Sequence, residues 1–218
     1  MTADLFVTHE AIQVKRKFTK RLFDMLFTLF VVVLTSPLLL FCIAAIAITS
    51  KGPIIYGHQR IGRGGKPFKC YKFRTMYPDA DHRLQALLDS DAVIKDEWEK
   101  NHKLKDDPRV TIIGRFLRKT SLDEFPQFWN VLRGDLSVVG PRPVVKAELL
   151  KFYGNNAATV LQVKPGLTGL WQVSGRSKTT YEKRVQLDLE YVQKSSFWFD
   201  ALIVIKTIPA LLFSKGAY

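Results

Sequence analysis

Charge vanishes from the chain between Met25 and Ile48, where the 24 residues MLFTLFVVVLTSPLLLFCIAAIAI carry none. A straight helix of that length reaches ~36 Å, more than the ~30 Å hydrocarbon core of a bilayer, so the run predicts a membrane helix. It does not fit a cleaved signal peptide: it is too long, starts too far in and lacks a small-residue cleavage site. Pro37 falls at its middle, where it removes one helix hydrogen bond and costs ~3 kcal/mol in an ordinary helix interior, and it biases Ser36 away from the helical region. Both flanks are basic, with Lys15, Arg16, Lys17, Lys20 and Arg21 before the run and Lys51, Arg60, Arg63 and Lys66 after it. Basic flanks favour the cytoplasmic side at both ends. Two arms, each ~18 Å and roughly one leaflet deep, would satisfy both flanks by entering, breaking at Ser36-Pro37 and returning. Ser36 would then help satisfy the freed backbone groups, and a Pro-kinked spanning helix is the other reading these residues leave open.

Ahead of the run, HEAIQVKRKFTKRLFDM mixes basic and apolar positions at helical spacing, as in a helix lying on an anionic membrane surface. After Gly52-Pro53, IIYGHQRIGRGGKPFKCYKFRTM has strand-like residues on either side of a glycine-rich centre, which predicts a β-hairpin turning at Gly62 to Gly65. Its GRGGKP lacks the spacing of a phosphate-binding loop and no helix start follows, so it reads as a turn. Strand alternation sends Lys72 and Arg74 to one face, where they would meet an anion. Residues 78–108 are polar and helix-prone, predicting one or two surface helices that end in a turn at Asp106 to Pro108. Asp79, Asp81 and His82 look like metal ligands, but Asp79 follows Pro78 at a helix start, where a carboxylate caps free N–H groups. From Val163 a Pro-Gly turn leads into a loop with Trp171, Gln172, Arg176 and Ser177, and the chain becomes helical from about Thr180. The loop is placed to hold a polar ligand, with Trp171 equally suited to the core. The tail from Phe197 is apolar but interrupted by Pro209, which suits an interfacial or core-docked helix.

Composition narrows the class. The 218 residues, 47% of them hydrophobic, can bury one good core, so one domain with a membrane attachment is expected, divided at 1–51 and 52–218. An excess of 33 Lys and Arg over 20 Asp and Glu, a net +13, favours phosphate esters, acidic lipid or nucleic acid as partners. The two cysteines have neither zinc-site spacing nor the density of a disulfide scaffold.

Within KTSLDEFPQFWNVLRGDLSVVGPRP, Asp123 and Glu124 stand side by side before an apolar run. Ser121-x-x-Glu124 has the form of a capping box, which Pro126 weakens; a helix starting at Asp123 would instead place Pro126 in its first turn. Either way both carboxylates sit at a helix N-terminus, where inert caps and anion sites are both found. Arg115, Arg118, Lys119, Arg133 and Arg142 surround the pair in sequence. Phosphoryl transfer uses such a set, with cations and a divalent metal neutralising oxygen charge and a carboxylate as nucleophile. Arg142 between Pro141 and Pro143 is flanked by two fixed φ angles that pre-orient its guanidinium.

The Ser-Pro-broken apolar segment, YKFRTM, RKTSLDEFPQFWNVLRGDLSVVGPRP and KPGLTGLWQVSGRS together resemble the bacterial monotopic phosphoglycosyl transferases, or polyprenyl-phosphate hexose-1-phosphate transferases. The resemblance runs from about Lys20 to the C-terminus and is to the short form used in exopolysaccharide synthesis. It implies an α+β, mainly helical monotopic membrane protein with a small β-hairpin, a re-entrant helix broken at Ser36-Pro37 and interfacial helices, on the cytoplasmic face of the bacterial inner membrane. It implies transfer of hexose-1-phosphate from UDP-glucose or UDP-galactose to undecaprenyl phosphate with release of UMP. Asp123 is implied as the nucleophile that forms a covalent phospho-sugar, and Glu124 as its partner in holding Mg²⁺ or handling the acceptor proton. Lys72 and Arg118 are implied to meet phosphate, and the Pro141-Arg142-Pro143 arginine to lie near the nucleotide; Gln172 and Arg176 complete the expected substrate contacts. The partners are therefore UDP-hexose, the lipid phosphate and membrane lipid, with a homodimer left open and nucleic acid not expected.

Two other classes compete. A membrane-tethered basic binder of nucleic acid or acidic lipid suits +13 and the interleaved aromatics, but no nucleic-acid motif is recognisable and an acid pair does not help to bind a polyanion. A purely structural scaffold would let Ser or Asn replace both acids with little loss.

Overall fold

The computed structural model describes residues 18–101, 104, 107–175 and 179–212. The basic leader ahead of Phe18, Arg176, Ser177 and part of the turn expected at 106–108 lie outside the described residues. Helix α1 spans Phe18–Thr49. Strands β1, Ile55–Ile61, and β2, Pro67–Phe73, form the antiparallel hairpin, turned by a 3-10 segment at Arg63–Gly65 in which Gly64 and Gly65 take φ of 68° and 75°. Surface helices α2, Ala80–Ser90, and α3, Ala92–Asn101, lead to α4, Ile112–Thr120, and α5, Gln127–Arg133. Strand β3, Ser137–Val139, precedes α6, Lys146–Glu148, and α7, Ala157–Val160. Strand β4, Gly166–Thr168, is followed by α8, Leu170–Val173, α9, Tyr181–Lys194, and α10, Phe197–Leu212. The fold is thus mostly helical with a two-stranded antiparallel sheet and one long apolar helix, as expected, and adds a short parallel pair of β3 with β4 that the sequence pattern did not announce.

Helix α1 runs through Pro37. Proline has no N–H to offer the carbonyl four residues back, that of Val33, and Ser36 Oγ donates to that oxygen at 2.8 Å while Thr35 Oγ1 donates to Val31 O at 2.7 Å. Hydroxyls thus supply partners near the proline where lipid would supply none.

Both ends of α1 are held by the rest of the fold. Near its start, Lys20 Nζ donates to Val139 O at 3.0 Å and to Asp200 Oδ2 at 2.6 Å. Arg21 donates to Val131 O and Leu132 O at 2.5 and 2.6 Å, closing the C-terminal carbonyls of α5, which a cation at that helix end suits. Asp24 is buried and accepts from Ser137 Oγ at 2.9 Å and the Val138 N–H at 3.0 Å. Each such bond made by a buried charged group contributes about 1.5–3 kcal/mol. At the other end, Cys42 and Ile46 are fully buried against Phe73, Leu117 and Leu122, and Arg74 Nη2 donates to Ser50 O at 2.7 Å. Between these ends Leu29, Phe30, Val33, Leu34, Leu38, Leu40 and Phe41 are exposed.

Arg74 therefore departs from its expected place beside Lys72. Strand β2 stops at Phe73, alternation lapses there, and the guanidinium turns to the end of α1. Asp79 also departs from expectation: it stands at the N-cap position of α2, but its carboxylate makes no cap bond and accepts from Arg83 Nε at 2.9 Å. The α9 start is as expected, with Thr180 Oγ1 accepting from the Lys183 N–H.

The main core gathers Cys70, Val131, Leu136, Val138, Val139, Tyr191 and Ile203, so the hairpin, α5, β3, α9 and α10 share one interior. Backbones approach closely where β3 ends. A Cβ on Gly166 would lie 2.1 Å from Gly140 N, and one on Gly169 2.1 Å from Gly140 O. Only glycine allows that contact, and it fixes where Pro141-Arg142-Pro143 begins.

Candidate active site

The acid pair occupies a single 3-10 turn, Leu122–Glu124, between α4 and α5. Neither helix start expected for it forms. Ser121 takes a left-handed conformation at φ 58°, the only non-glycine residue with positive φ among the described residues, and its N–H closes the end of α4 on Arg118 O at 3.2 Å. Its side chain makes no cap bond, and α5 begins only after Pro126. The reason is Pro126, whose ring conflicts with a helix begun at Ser121. A strained residue at such a turn reverses the chain and lays both carboxylates against β2.

There Lys72 Nζ meets Asp123 Oδ2 at 3.2 Å and Glu124 Oε1 at 2.8 Å. Burial raises the Asp123 carboxyl above its ordinary value and the Glu124 charge adds to this, while Lys72 and Arg118 pull it back. For Lys72, burial alone would weaken the ammonium, but the two carboxylates outweigh it and its pKa is raised. Asp123 is 8% exposed and Glu124 more open, so the ammonium joins a sheltered acid to a more accessible one.

A recess opens on this group, lined by Arg60, Lys72, Glu124, Gln127, Arg142, Pro143 and Gln172 along with Cys70, Gly166 and Leu167. Of the residues marked from sequence it gathers Lys72, Glu124, Arg142, Pro143 and Gln172; Asp123 adjoins through Lys72, and Pro141 leads in, its carbonyl accepting from the Gly166 N–H at 2.8 Å. Arg118 sits behind, its Nε donating to Thr75 Oγ1 at 3.0 Å within electrostatic reach of Asp123. Arg133 pairs with Asp135 at 3.5 Å instead of joining the site.

Residues not marked as ligands from sequence complete the surroundings. Arg60 and Gln127 line the recess, and the hairpin register explains Arg60: Tyr56 faces Lys72, His58 faces Cys70 and Arg60 faces Phe68, so Lys72, Cys70 and Arg60 share one sheet face. Strand alternation could have found it. Arg142 and Arg184 both lie over the Trp171 ring, at 5.6 and 4.8 Å, and Trp171 Nε1 donates to Thr179 Oγ1 at 2.7 Å. Burial pushes the Asp188 carboxyl up to about 6, opposed by the Tyr153 hydroxyl at 2.7 Å, by Arg184 and by the Arg142 backbone N–H. Arg184 stands one turn before Asp188 in α9, but its other partners, Tyr153 and Arg142, are 35 and 46 residues away in the chain and no local pattern announces them.

The described residues include no group of three or more His, Cys, Asp or Glu that would enclose a metal. Mg²⁺, however, is commonly bound by one or two carboxylates with substrate phosphates completing its shell. Asp123 and Glu124, adjacent in one turn at the edge of the recess, supply donors of that kind.

Fold and site together define a membrane-associated α+β domain whose apolar helix is long enough to cross a bilayer and whose acid pair is set among cations. A model of the family described as Bacterial sugar transferase matches residues 15–214, and the chain belongs to that family. It is 48% identical over 202 residues to the undecaprenyl-phosphate galactose phosphotransferase of Salmonella typhimurium, covering 93% of this chain and 42% of that protein. It is 48% identical over 200 residues to the exopolysaccharide production protein ExoY of Sinorhizobium fredii, covering 92% of this chain and 88% of that protein. With a UDP-glucose:undecaprenyl-phosphate glucose-1-phosphate transferase of Klebsiella pneumoniae it shares 40% identity over 206 residues, 91% of this chain and 41% of that protein. The chain therefore spans less than half the length of the Salmonella and Klebsiella relatives.

Proposed function

We propose that this chain transfers hexose-1-phosphate, with glucose or galactose as the hexose, from UDP-hexose to undecaprenyl phosphate and so begins assembly of an exopolysaccharide or related glycan. The observation that carries this reading is the Lys72 ammonium bridging Asp123 and Glu124 at the edge of a recess that also holds Arg142. The activities for which the Salmonella and Klebsiella relatives are named support the substrate classes.

In the first step an Asp123 carboxylate oxygen bonds to the sugar-linked phosphorus of UDP-hexose. The bond from that phosphorus to the bridging oxygen breaks, and UMP leaves with the oxygen and the electron pair. In the second, a phosphate oxygen of the lipid bonds to the same phosphorus and displaces the Asp123 carboxylate, giving the lipid diphosphate hexose. Lys72 neutralises phosphate oxygen charge and holds Asp123 ionised against its burial. Arg142, pre-set between its prolines and backed by Trp171, faces the nucleotide portion, and Gln172 supplies polar contact in the same recess. Mg²⁺ held by Asp123 and Glu124 would add further charge neutralisation. Membranes carrying this protein, given undecaprenyl phosphate and a panel of UDP-sugars, are expected to release UMP with UDP-glucose or UDP-galactose. Absence of UMP from every sugar, with salt-sensitive RNA or DNA binding in its place, would favour the tethered binder.

We infer the same placement for α1: it enters the cytoplasmic leaflet of the inner membrane, turns at Ser36-Pro37 and returns. Support comes from its two ends, which both pack on the domain while its apolar middle is exposed. Ile112 and Phe116 on α4, Trp129 on α5 and Trp198 on α10 are also exposed and suit the interfacial layer. Membrane-impermeant labelling of cysteines placed at Lys17 and Lys51 is expected to mark both from the cytoplasmic side. Labelling from opposite sides would replace the re-entrant helix with a spanning one.

A further inference from the structure

We propose that Arg60 is a further substrate-binding residue, which with Arg142 grips the phosphate retained by the departing nucleotide. The inference rests on the transfer reading above for the identity of that ligand. It begins from the hairpin. Arg60 lies four residues from Tyr56, the partner of Lys72, so the two cations stand ~13 Å apart along one sheet face. Their long side chains line the same recess, and Cys70 lies between them along the hairpin. Lys72 is committed to the acid pair; Arg60 is not.

Cations predominate at the Arg60 end. Burial weakens the Arg60 cation and the Arg142 charge weakens it further, so two guanidinium groups are held close enough to repel in a partly desolvated place. Arg184, stacked on the same Trp171 as Arg142, adds a third positive charge; Glu148 acts against this at Arg60, and Asp188 faces Arg142 and Arg184. Among the described residues no ion pair closes on Arg60 or Arg142. Like charges assembled at the wall of a recess are relieved by an anion that bonds to both, and the planar guanidinium fork matches phosphate oxygens.

The transfer chemistry supplies such an anion in the right order along the recess. The phosphorus under attack lies by Asp123 and Lys72, and the phosphate one bridging oxygen further on belongs to the nucleotide. That second phosphate gains negative charge as the bridge breaks, so a pair of arginines beside it favours departure as well as binding. His58, on the same sheet face between the two cations, has its pKa lowered by burial and then by Arg60 and Lys72, so it is neutral near pH 7 and leaves this task to the arginines.

The test compares UMP with uridine on the full chain in detergent, by equilibrium binding at fixed ionic strength, for wild type, Arg60→Gln and Arg60→Lys. UMP affinity is expected to fall on the order of tenfold to a hundredfold in Arg60→Gln, with Arg60→Lys intermediate and uridine affinity unchanged in both. Equal losses for UMP and uridine would mean that Arg60 only shapes the recess through Glu148, and would overturn the proposal, as would UMP affinity within about twofold of wild type. UMP release from UDP-hexose is measured on the same preparations. A wild type that releases none yet binds UMP through Arg60 refutes the transfer reading and upholds the subsite; normal release with Arg60-independent UMP binding does the reverse.

Discussion

Asp123→Asn is expected to lower turnover by at least ~10³-fold while the protein still folds and inserts. The substitution keeps the shape of the side chain and removes only the charged oxygen that would bond to phosphorus. Stability should not suffer. Because burial raises the folded-state pKa of Asp123, its ionised form is the disfavoured one. The penalty is absent below the unfolded pKa and fully present once pH exceeds the folded one. At pH 7 a neutral amide escapes it, so the melting temperature should be equal or higher. Mass analysis of wild type mixed with UDP-hexose and no lipid acceptor should find a hexose-phosphate on the peptide bearing Asp123, and none in the variant. Turnover near the wild-type rate in Asp123→Asn would remove the covalent mechanism altogether.

Lys72→Gln carries the second largest effect, a fall in kcat/KM on the order of 10²–10³-fold, because one ammonium serves two carboxylates. Without it burial and the Glu124 charge act on Asp123 in the same direction, and Arg118 is the cation left to oppose them. The Asp123 pKa should climb further, and the acidic limb of the pH–kcat/KM profile should move to higher pH. Raising the pH should therefore recover part of the lost activity in the variant but not in wild type. Lys72 itself titrates far from this window: its raised pKa means its own stabilising effect is present below its unfolded value and fades only as pH rises through the folded one. An unshifted acidic limb would show that Lys72 does not tune the nucleophile.

What could be read from sequence divides along physical lines. The apolar run, the hairpin with its glycine turn and the α9 start at Thr180 follow from local patterning, and the structure agrees with each. The role of Ser36 beside Pro37 was also visible, since a proline inside an apolar helix leaves one carbonyl in search of a donor. The surroundings of Asp123 were less accessible. Local rules offered two helix starts, whereas Pro126 delays α5 and a left-handed Ser121 closes α4 early, leaving the acids in a turn between them. Arg74 was misplaced because alternation was carried one residue past the strand end. Parallel pairing of β3 with β4 depends on Gly140 and Gly166 meeting across 26 residues of chain, and three-residue strands have too little pattern to announce themselves. Asp188 and Arg184 acquire meaning only when α9 is laid against Trp171 and Tyr153.

The clasp between Lys20 and Asp200 joins positions 180 residues apart. During synthesis at ~5–20 residues per second, the ribosome needs about 10–40 s to deliver the second partner after the first has emerged. For that interval the apolar helix is already made while Asp200 and Tyr191, which complete its anchorage through Val139, do not yet exist. Lipid, or a chaperone standing in for it, must therefore shelter the nascent helix until Tyr191 and Asp200 arrive to lock it in place.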